Sequence, residues 1–226
     1  MPCPHRTSAL RIRVRTGAPI STRTVEVGEN KREESCHMAD ELNGITVAFL
    51  VAPEGIEQVE LTEPWRAVEE TGGTPKLIST SDGEVQAFNH LDAADKFTVD
   101  ATTDSVTAAD FDALVLPGGV SNPDFLRTDA SAVAFAKGFF DAGKPVAAIC
   151  HAPWTLVEAD VVRGRTLTSW PSLQTDLRNA GATWVDEELV VDRDGPNTLI
   201  TSRKPDDLPV FDAALVAEFG RSKVAH

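Results

Sequence analysis

The sequence predicts an α/β fold with a parallel sheet that is covered by helices on both faces. Short runs of apolar residues recur along the chain, as is typical of strands buried on both faces. Amphipathic segments of helical period lie between these runs, and glycine-containing turns separate the two kinds of segment. An alternation of strands and helices of this kind indicates βαβ units, and therefore a mostly parallel sheet.

Each predicted element carries its own signal. Pro64 stands near the start of the first amphipathic segment and Gly72 at its end, while the segment after Asp129 has an acidic cap and ends at Gly143. Residues 81–109 are polar and irregular, which favours at most a short hairpin. We expect strands at 44–51, 74–80, 111–119, 144–150, 166–170, 183–192 and 197–202. We expect helices at 61–72, 129–143, 152–160, 172–181 and 205–220.

Residues 1–37 differ in composition from the rest of the chain. They hold seven basic and four acidic residues, a net charge of +3, and show no clear apolar periodicity. The remaining 14 basic and 31 acidic residues give −17. We interpret residues 1–37 as a disordered extension and residues 38–226 as one domain. Met38 is a candidate for the true start, in which case the extension is not native. An acidic surface of this size argues against a nucleic-acid partner, which needs cationic surface.

The number of cysteines and the length of the apolar runs limit the compartment and the class of protein that we expect. An odd number of cysteines argues against a disulfide framework. No apolar run approaches the roughly 20 residues that span a bilayer, so no membrane partner is expected. The prediction is a reduced, cytoplasmic protein. Cys3, His5, Cys36 and His37 lack the close pairing of zinc ligands, so no metal is expected.

Cys150 stands between an apolar strand and the start of a helix, in the stretch "VAAICHAPWTLVEA". A sharp turn at this place lifts a side chain out of the sheet as a nucleophile elbow, and the helix N-terminus favours a thiolate. His151 follows directly and is a candidate base. A buried structural thiol is the alternative, since free cysteine is among the most buried residues. The loops at 53–58, 118–124 and 150–153 leave strand ends, where ligands bind in such sheets.

Three ordered blocks of the sequence resemble the PfpI family of intracellular cysteine proteases and deglycases, within the class I glutamine amidotransferase-like superfamily. The blocks are "PEGIEQVELTEP", "FDALVLPGG" and "AAICHAPWTLVEADVVRGRTLTSWPSLQTDLRNAGATWVDEELVVD". The resemblance covers about residues 44–220. It implies a flavodoxin-like three-layer α/β fold with a nucleophile elbow and no organic cofactor.

The resemblance also implies roles for individual residues. Cys150 would be the nucleophile, His151 its neighbour in the site, and Glu57 the carboxyl that approaches the sulfur. Gly119 and His151 would offer backbone N–H groups as an oxyanion hole. Asp124 stands where relatives place a glutamate that reaches the histidine of a neighbouring subunit, so a homo-oligomer, a dimer or hexamer, is expected.

The implied activity is cysteine-dependent hydrolysis. We favour deglycase or glyoxalase III-type action on dicarbonyl adducts, with a small-molecule dicarbonyl or a modified protein as substrate and stress protection as the purpose. An intracellular cysteine peptidase is the alternative, but a peptide bond needs strong protonation of its leaving group. A redox sensor or chaperone is a second alternative, since an accessible thiolate would serve oxidation as well.

Overall fold

A computed structural model describes the backbone of residues 41–224 and the side chains of residues 41–221. In this part of the chain a seven-stranded sheet has the order β11-β12-β8-β7-β1-β3-β6. Its neighbouring strands run parallel except for β11, which pairs antiparallel with β12 at one edge. The predicted α/β fold with a mostly parallel sheet is therefore confirmed. The proposed start at Met38 and the predicted extension at 1–37 lie outside the described residues.

Twelve strands and six helices make up the described chain. The strands are β1 (Thr46–Val51), β2 (Glu54–Glu57), β3 (Thr74–Ser79), β4 (Glu84–Asn89), β5 (Asp92–Thr98), β6 (Ala101–Thr102), β7 (Ala113–Leu116), β8 (Val146–Ile149), β9 (Thr166–Leu167), β10 (Thr183–Trp184), β11 (Leu189–Asp192) and β12 (Leu199–Ser202). The helices are α1 (Gln58–Glu70), α2 (Ser121–Leu126), α3 (Ala130–Asp141), α4 (Pro153–Glu158), α5 (Gln174–Asn179) and α6 (Leu208–Val224). Short 3-10 turns lie at Ala108–Asp110, Pro171–Leu173 and Pro205–Asp207.

Each face of the large sheet packs against its own set of helices, which gives three layers. Along β1, Val47, Phe49 and Val51 belong to a core shared with α1 and α6, where Phe211 and Phe219 are fully buried. The alternate β1 residues belong to the opposite core, together with apolar side chains of α3, α4 and α5. Successive side chains of a strand point to opposite faces, so a continuous apolar run supplies both cores.

Two regions differ from the expectation. The polar stretch after β3 forms the hairpin of β4 and β5, which joins β2 in a separate three-stranded sheet. The expected loop at 53–58 thus contains a strand, and α1 begins at Gln58, earlier than the apolar pattern suggested. The expected strand at 183–192 is divided into β10 and β11, with "VDEE" between them. Among residues 41–224, no helix is long and apolar enough to cross a membrane.

Candidate active site

Cys150 occupies a strained turn between β8 and α4. Its φ of +63° lies in the left-handed region, which non-glycine residues enter at a cost of about 1–3 kcal/mol. Both backbone groups of Cys150 are held: its N–H donates to the Ser202 carbonyl at 3.1 Å, and its carbonyl accepts from the Trp170 N–H at 2.8 Å. The predicted nucleophile elbow is therefore present, and its geometry is fixed by two other segments of the chain.

His151 lies beside the sulfur with its ring between two indoles. Its Nδ1 is 3.2 Å from the Cys150 Sγ. The ring stacks on Trp170 with centroids 5.6 Å apart and lies 5.5 Å from the Trp154 ring. Burial lowers the pKa of His151 to about 4. The imidazole is therefore neutral at neutral pH and can accept a proton from the thiol.

The carboxyl beside the sulfur belongs to Glu60, whereas the sequence predicted Glu57. Glu60 is fully buried, its Oε2 accepts from the Gly118 N–H at 2.9 Å, and its carboxyl interacts with the Cys150 sulfur. Its Oε1 is buried and has no hydrogen-bond partner among the described residues. Glu57 instead stands at the N-cap position of α1 without a side-chain capping hydrogen bond. Its carboxylate accepts a hydrogen bond from the His90 N–H at 3.1 Å, at the hairpin of β4 and β5.

The residue at which α1 begins explains why Glu60, and not Glu57, lies beside the sulfur. A helix turns about 100° per residue, so two residues that are three apart within it share a face. Glu60 lies inside the helix on its buried face with Leu61 and Pro64, while Glu57 precedes it in extended conformation. The predicted helix at 61–72 begins after Glu60; a helix that began at Gln58 would have placed the Glu60 carboxyl on the apolar face and so identified it.

Burial sets the protonation state of Glu60 and Cys150. It raises the pKa of Glu60 to about 8, and the nearby Glu57 charge adds to this effect. Burial also raises the pKa of the Cys150 thiol, and the charge of Glu60 raises it further. We expected the helix N-terminus to give a resting thiolate, but α4 has only six residues and does not outweigh burial. Cys150 and Glu60 therefore both hold their protons at neutral pH.

Gly118 and Gly119 allow the loop after β7 to pack closely against the turn at Cys150. Gly119 has φ of +84°, and a Cβ there would lie 2.2 Å from the Gly55 carbonyl oxygen. A Cβ on Gly118 would lie 2.6 Å from the Cys150 Cβ. The backbone N–H groups of Gly119 and His151 lie near the Cys150 sulfur and lower the pKa of its thiol, against the larger effect of burial. They are thus placed where an oxyanion next to this sulfur would form, and their role as an oxyanion hole stays a prediction.

Asp124 is exposed on α2 and has no hydrogen bond or ion pair to another described residue. Within this chain, the His151 nitrogen that faces away from the sulfur meets another group: its Nε2 lies 3.5 Å from the Ser172 Oγ. The sequence analysis did not identify Ser172, which stands 21 residues from His151. The contact between Asp124 and a neighbouring subunit stays a prediction. Between residues 41 and 221 no cluster of three or more His, Cys, Asp or Glu side chains could hold a metal ion.

Known proteins resemble this chain in sequence and in fold. A model of the DJ-1/PfpI family matches residues 45–218. The chain belongs to this family. The resemblance inferred from the three sequence blocks is thereby confirmed.

Curated members of the DJ-1/PfpI family align over most of their length. Protein/nucleic acid deglycase 2 of Escherichia coli is 44% identical over 166 residues, which cover 74% of this chain and 92% of that protein. General stress protein 18 of Bacillus subtilis is 44% identical over 161 residues, which cover 71% of this chain and 90% of that protein. The crystal structure of Drosophila melanogaster DJ-1beta has a TM-score of 0.68 and 27% identity, covering 78% of this chain and 90% of that chain. The flavodoxin-like three-layer fold that the PfpI resemblance implied is therefore confirmed.

Proposed function

We propose that this protein is a cysteine hydrolase that removes dicarbonyl adducts, such as those of methylglyoxal, from amines and thiols. The observation that carries the proposal is the contact of the Cys150 sulfur with a neutral His151 on one side and a buried Glu60 carboxyl on the other. A thiol, a proton acceptor and a proton donor therefore meet at one strained turn. The deglycase name of the Escherichia coli relative supports this choice of reaction.

The proposed first step is a proton transfer within the site. The S–H bond of Cys150 breaks and its proton moves 3.2 Å to His151 Nδ1, leaving a thiolate and an imidazolium. The thiolate forms a bond to the adduct carbon while the bond from that carbon to the amine breaks. The departing amine takes the proton from His151, so the imidazole becomes neutral again. The protonated Glu60 stabilises the thiolate, because it can donate a hydrogen bond without adding negative charge.

The second half of the reaction releases an acid. The carbon bound to sulfur carries hydrogen, hydroxyl and a neighbouring carbonyl carbon. Transfer of that hydrogen to the carbonyl carbon, and of the hydroxyl proton to the carbonyl oxygen, converts the intermediate into a 2-hydroxyacyl thioester without any external oxidant. Water then hydrolyses the thioester to a lactate-type acid and restores the Cys150 thiol. The N–H groups of Gly119 and His151 would stabilise the oxyanion of this hydrolysis.

The state of His151 favours an adduct over a peptide bond as substrate. An amide leaving group must be strongly protonated, and no carboxylate orients His151 among the contacts that the structure describes. The amine of an adduct departs more readily, so it needs less assistance from His151 than an amide would. The peptidase therefore stays the alternative and becomes one outcome of the test.

We further propose that the protein acts in a reducing cytoplasm and as a homo-oligomer, a dimer or hexamer. Cys150 is free, as a thiol catalyst requires. Val120 and Phe125 are large apolar side chains that flank Asp124 and are 57% and 46% exposed, which supports contact with a second copy. Sedimentation of the wild type and of a Phe125→Glu variant tests this assembly: a wild-type monomer would refute it. The name of the Bacillus subtilis relative supports a role in stress protection.

The test compares wild type with Cys150→Ser on methylglyoxal, on a methylglyoxal-modified peptide and on casein. A Cys3→Ser/Cys36→Ser double variant, which keeps Cys150, is the control for the other thiols. We expect continuous lactate formation from the first two substrates, unchanged in the control and abolished in Cys150→Ser. Cleavage of casein alone would support the peptidase. Consumption of one oxidant per Cys150 without product would support the sensor and refute the hydrolase.

A further inference from the structure

Asn122 joins the loops that follow β1 and β7, and it is fully buried. Its Oδ1 accepts a hydrogen bond from the Ala52 N–H, just after β1, at 2.7 Å. Its Nδ2 donates to two carbonyls just after β7, that of Pro117 at 2.9 Å and that of Gly118 at 3.2 Å. Because the partners are one donor and two acceptors, they fix which end of the side-chain amide is oxygen and which is nitrogen.

We propose that Asn122 is a positioning residue, which holds the Gly118 carbonyl and thereby keeps the Gly119 N–H directed toward the Cys150 sulfur. This inference rests on the proposed function, because the Gly119 N–H is one of the two donors proposed there for the oxyanion. The bonds of the Asn122 side chain go to buried backbone groups, so Asn122 acts through the glycine loop and does not touch the substrate.

The peptide between Gly118 and Gly119 carries both of these groups. A trans peptide is planar, so its C=O and N–H point in opposite directions. With glycine on either side, this peptide can turn over at little steric cost, and its orientation depends on what holds its carbonyl. Two donors do so: Asn122 Nδ2, and the Glu57 N–H at 3.4 Å. Removal of the Asn122 donor leaves the longer of these two bonds.

On the opposite side of the glycine loop, two successive N–H groups lie toward the site. The Gly118 N–H donates to Glu60 Oε2 at 2.9 Å. The Gly119 N–H lies near both the Glu60 carboxyl and the Cys150 sulfur. Successive N–H groups of this kind form a concave site for negative charge. The two peptides that supply these N–H groups are the two whose carbonyls Asn122 holds, so one side chain orients both donors.

A second buried amide offers a matched control. Asn197 lies between β11 and β12, where its Nδ2 donates to the Lys144 carbonyl at 2.7 Å and its Oδ1 accepts from Arg165 at 3.0 Å. Lys144 precedes β8, whereas Cys150 follows the opposite end of that strand. Asn122→Asp and Asn197→Asp both keep the accepting oxygen and remove the N–H donors. Asn122→Ala is a further variant that adds no charge and decides the question if Asn122→Asp does not fold.

The first readout is the NMR spectrum of protein labelled with ¹³C and ¹⁵N in glycine alone. A correlation of each amide with the preceding carbonyl then selects Gly–Gly pairs, and this sequence has two, Gly72–Gly73 and Gly118–Gly119. Gly72→Ala removes the first signal and so assigns both. The Gly73 N–H donates to the Val68 carbonyl at 2.9 Å in the turn after α1, so its signal is an internal reference.

The second readout is the rate at which iodoacetamide alkylates Cys150, and the third is the pair of constants kcat and KM. All variants carry Cys3→Ser and Cys36→Ser, so that Cys150 is the one thiol. An N–H directed at the sulfur stabilises a thiolate there and also the oxyanion that forms beside it. Both rates should therefore respond to the orientation of the Gly119 N–H.

We expect the Gly118–Gly119 signal to shift or split in both Asn122 variants, while the Gly72–Gly73 signal stays in place. Alkylation should slow, and kcat should fall about ten- to a hundredfold with KM little changed. This loss is smaller than the roughly 10²–10³-fold in kcat that removal of an oxyanion donor costs. Asn197→Asp should leave the signal and both rates unchanged.

An unmoved Gly118–Gly119 signal or an unchanged alkylation rate in the Asn122 variants would overturn the proposal. An equal effect of Asn197→Asp would do the same, because it would show a general loss of packing. The spectrum and the alkylation rate need no turnover. Absence of hydrolysis by the wild type would thus refute the proposed function, while these two readouts still decided the role of Asn122.

Discussion

Replacing Glu60 by glutamine should change how the stability of the fold depends on pH. Burial raises the Glu60 pKa from its ordinary value of 4.5 to about 8. The folded state therefore holds a proton that the unfolded state has released, and the free energy of unfolding falls as pH rises between these two values. At about 1.4 kcal/mol per pH unit, the loss reaches about 5 kcal/mol over the whole interval and about 4 kcal/mol between pH 5 and pH 8. The glutamine of Glu60→Gln cannot ionise, so the free energy of unfolding of this variant does not fall with pH for this reason.

The measurement is the free energy of unfolding from denaturant titrations at several pH values between 5 and 8. Glu57→Gln is the matched control, because it removes a carboxyl of the same helix start that contacts His90 instead of the sulfur. We expect wild type to lose the most stability, and Glu57→Gln to lose somewhat less, because the Glu57 charge no longer adds to the raised pKa of Glu60. Glu60→Gln should be flatter than wild type by about 4 kcal/mol. The titration of His151 makes the free energy of unfolding rise with pH, but this contribution is common to all three proteins and cancels in the comparison. Parallel curves for all three proteins would refute a protonated Glu60.

Three further predictions concern the ends of elements and the chain terminus. Asp129→Ala should lower the free energy of unfolding by about 1 kcal/mol, because the Asp129 side chain caps two N–H groups at the start of α3. Calorimetry measures this loss, and an unchanged melting temperature would contradict it. Gly119→Ala should lower both stability and Cys150 alkylation, because the new Cβ would meet the Gly55 carbonyl oxygen at 2.2 Å; a fully reactive, equally stable variant would contradict this contact. Removal of residues 1–37 should leave the melting temperature and activity close to those of the full chain, since this segment lacks apolar periodicity; a fall of many degrees would show that it packs.

The sequence suggested that the turn at Cys150 favours a thiolate, and the structure changes this expectation. Strand, cysteine and helix start were readable from the order of residues, and the family resemblance placed Gly119 and His151 beside them. The sequence argument gave weight to the helix N-terminus and expected a resting thiolate. In the fold, Cys150 is only 6% exposed and faces a buried carboxyl, so burial dominates and keeps the thiol protonated. The order of residues cannot show how much water remains around a side chain.

The sequence by itself determined most strands of the parallel sheet, most of the helices that cover it, and the position of Cys150 between a strand and a helix. Apolar runs and helical periodicity are local patterns, and the pleat and the helical turn convert them directly into buried faces. Only the tertiary structure decided that Glu60 and not Glu57 reaches the sulfur, and that Ser172 meets His151. The first depends on the residue at which α1 begins, because each residue rotates the helix by about 100°. The contact of Ser172 with His151 depends on a backbone hydrogen bond from Trp170 to Cys150. This bond joins residues 20 apart in the chain, so no local sequence pattern indicates it.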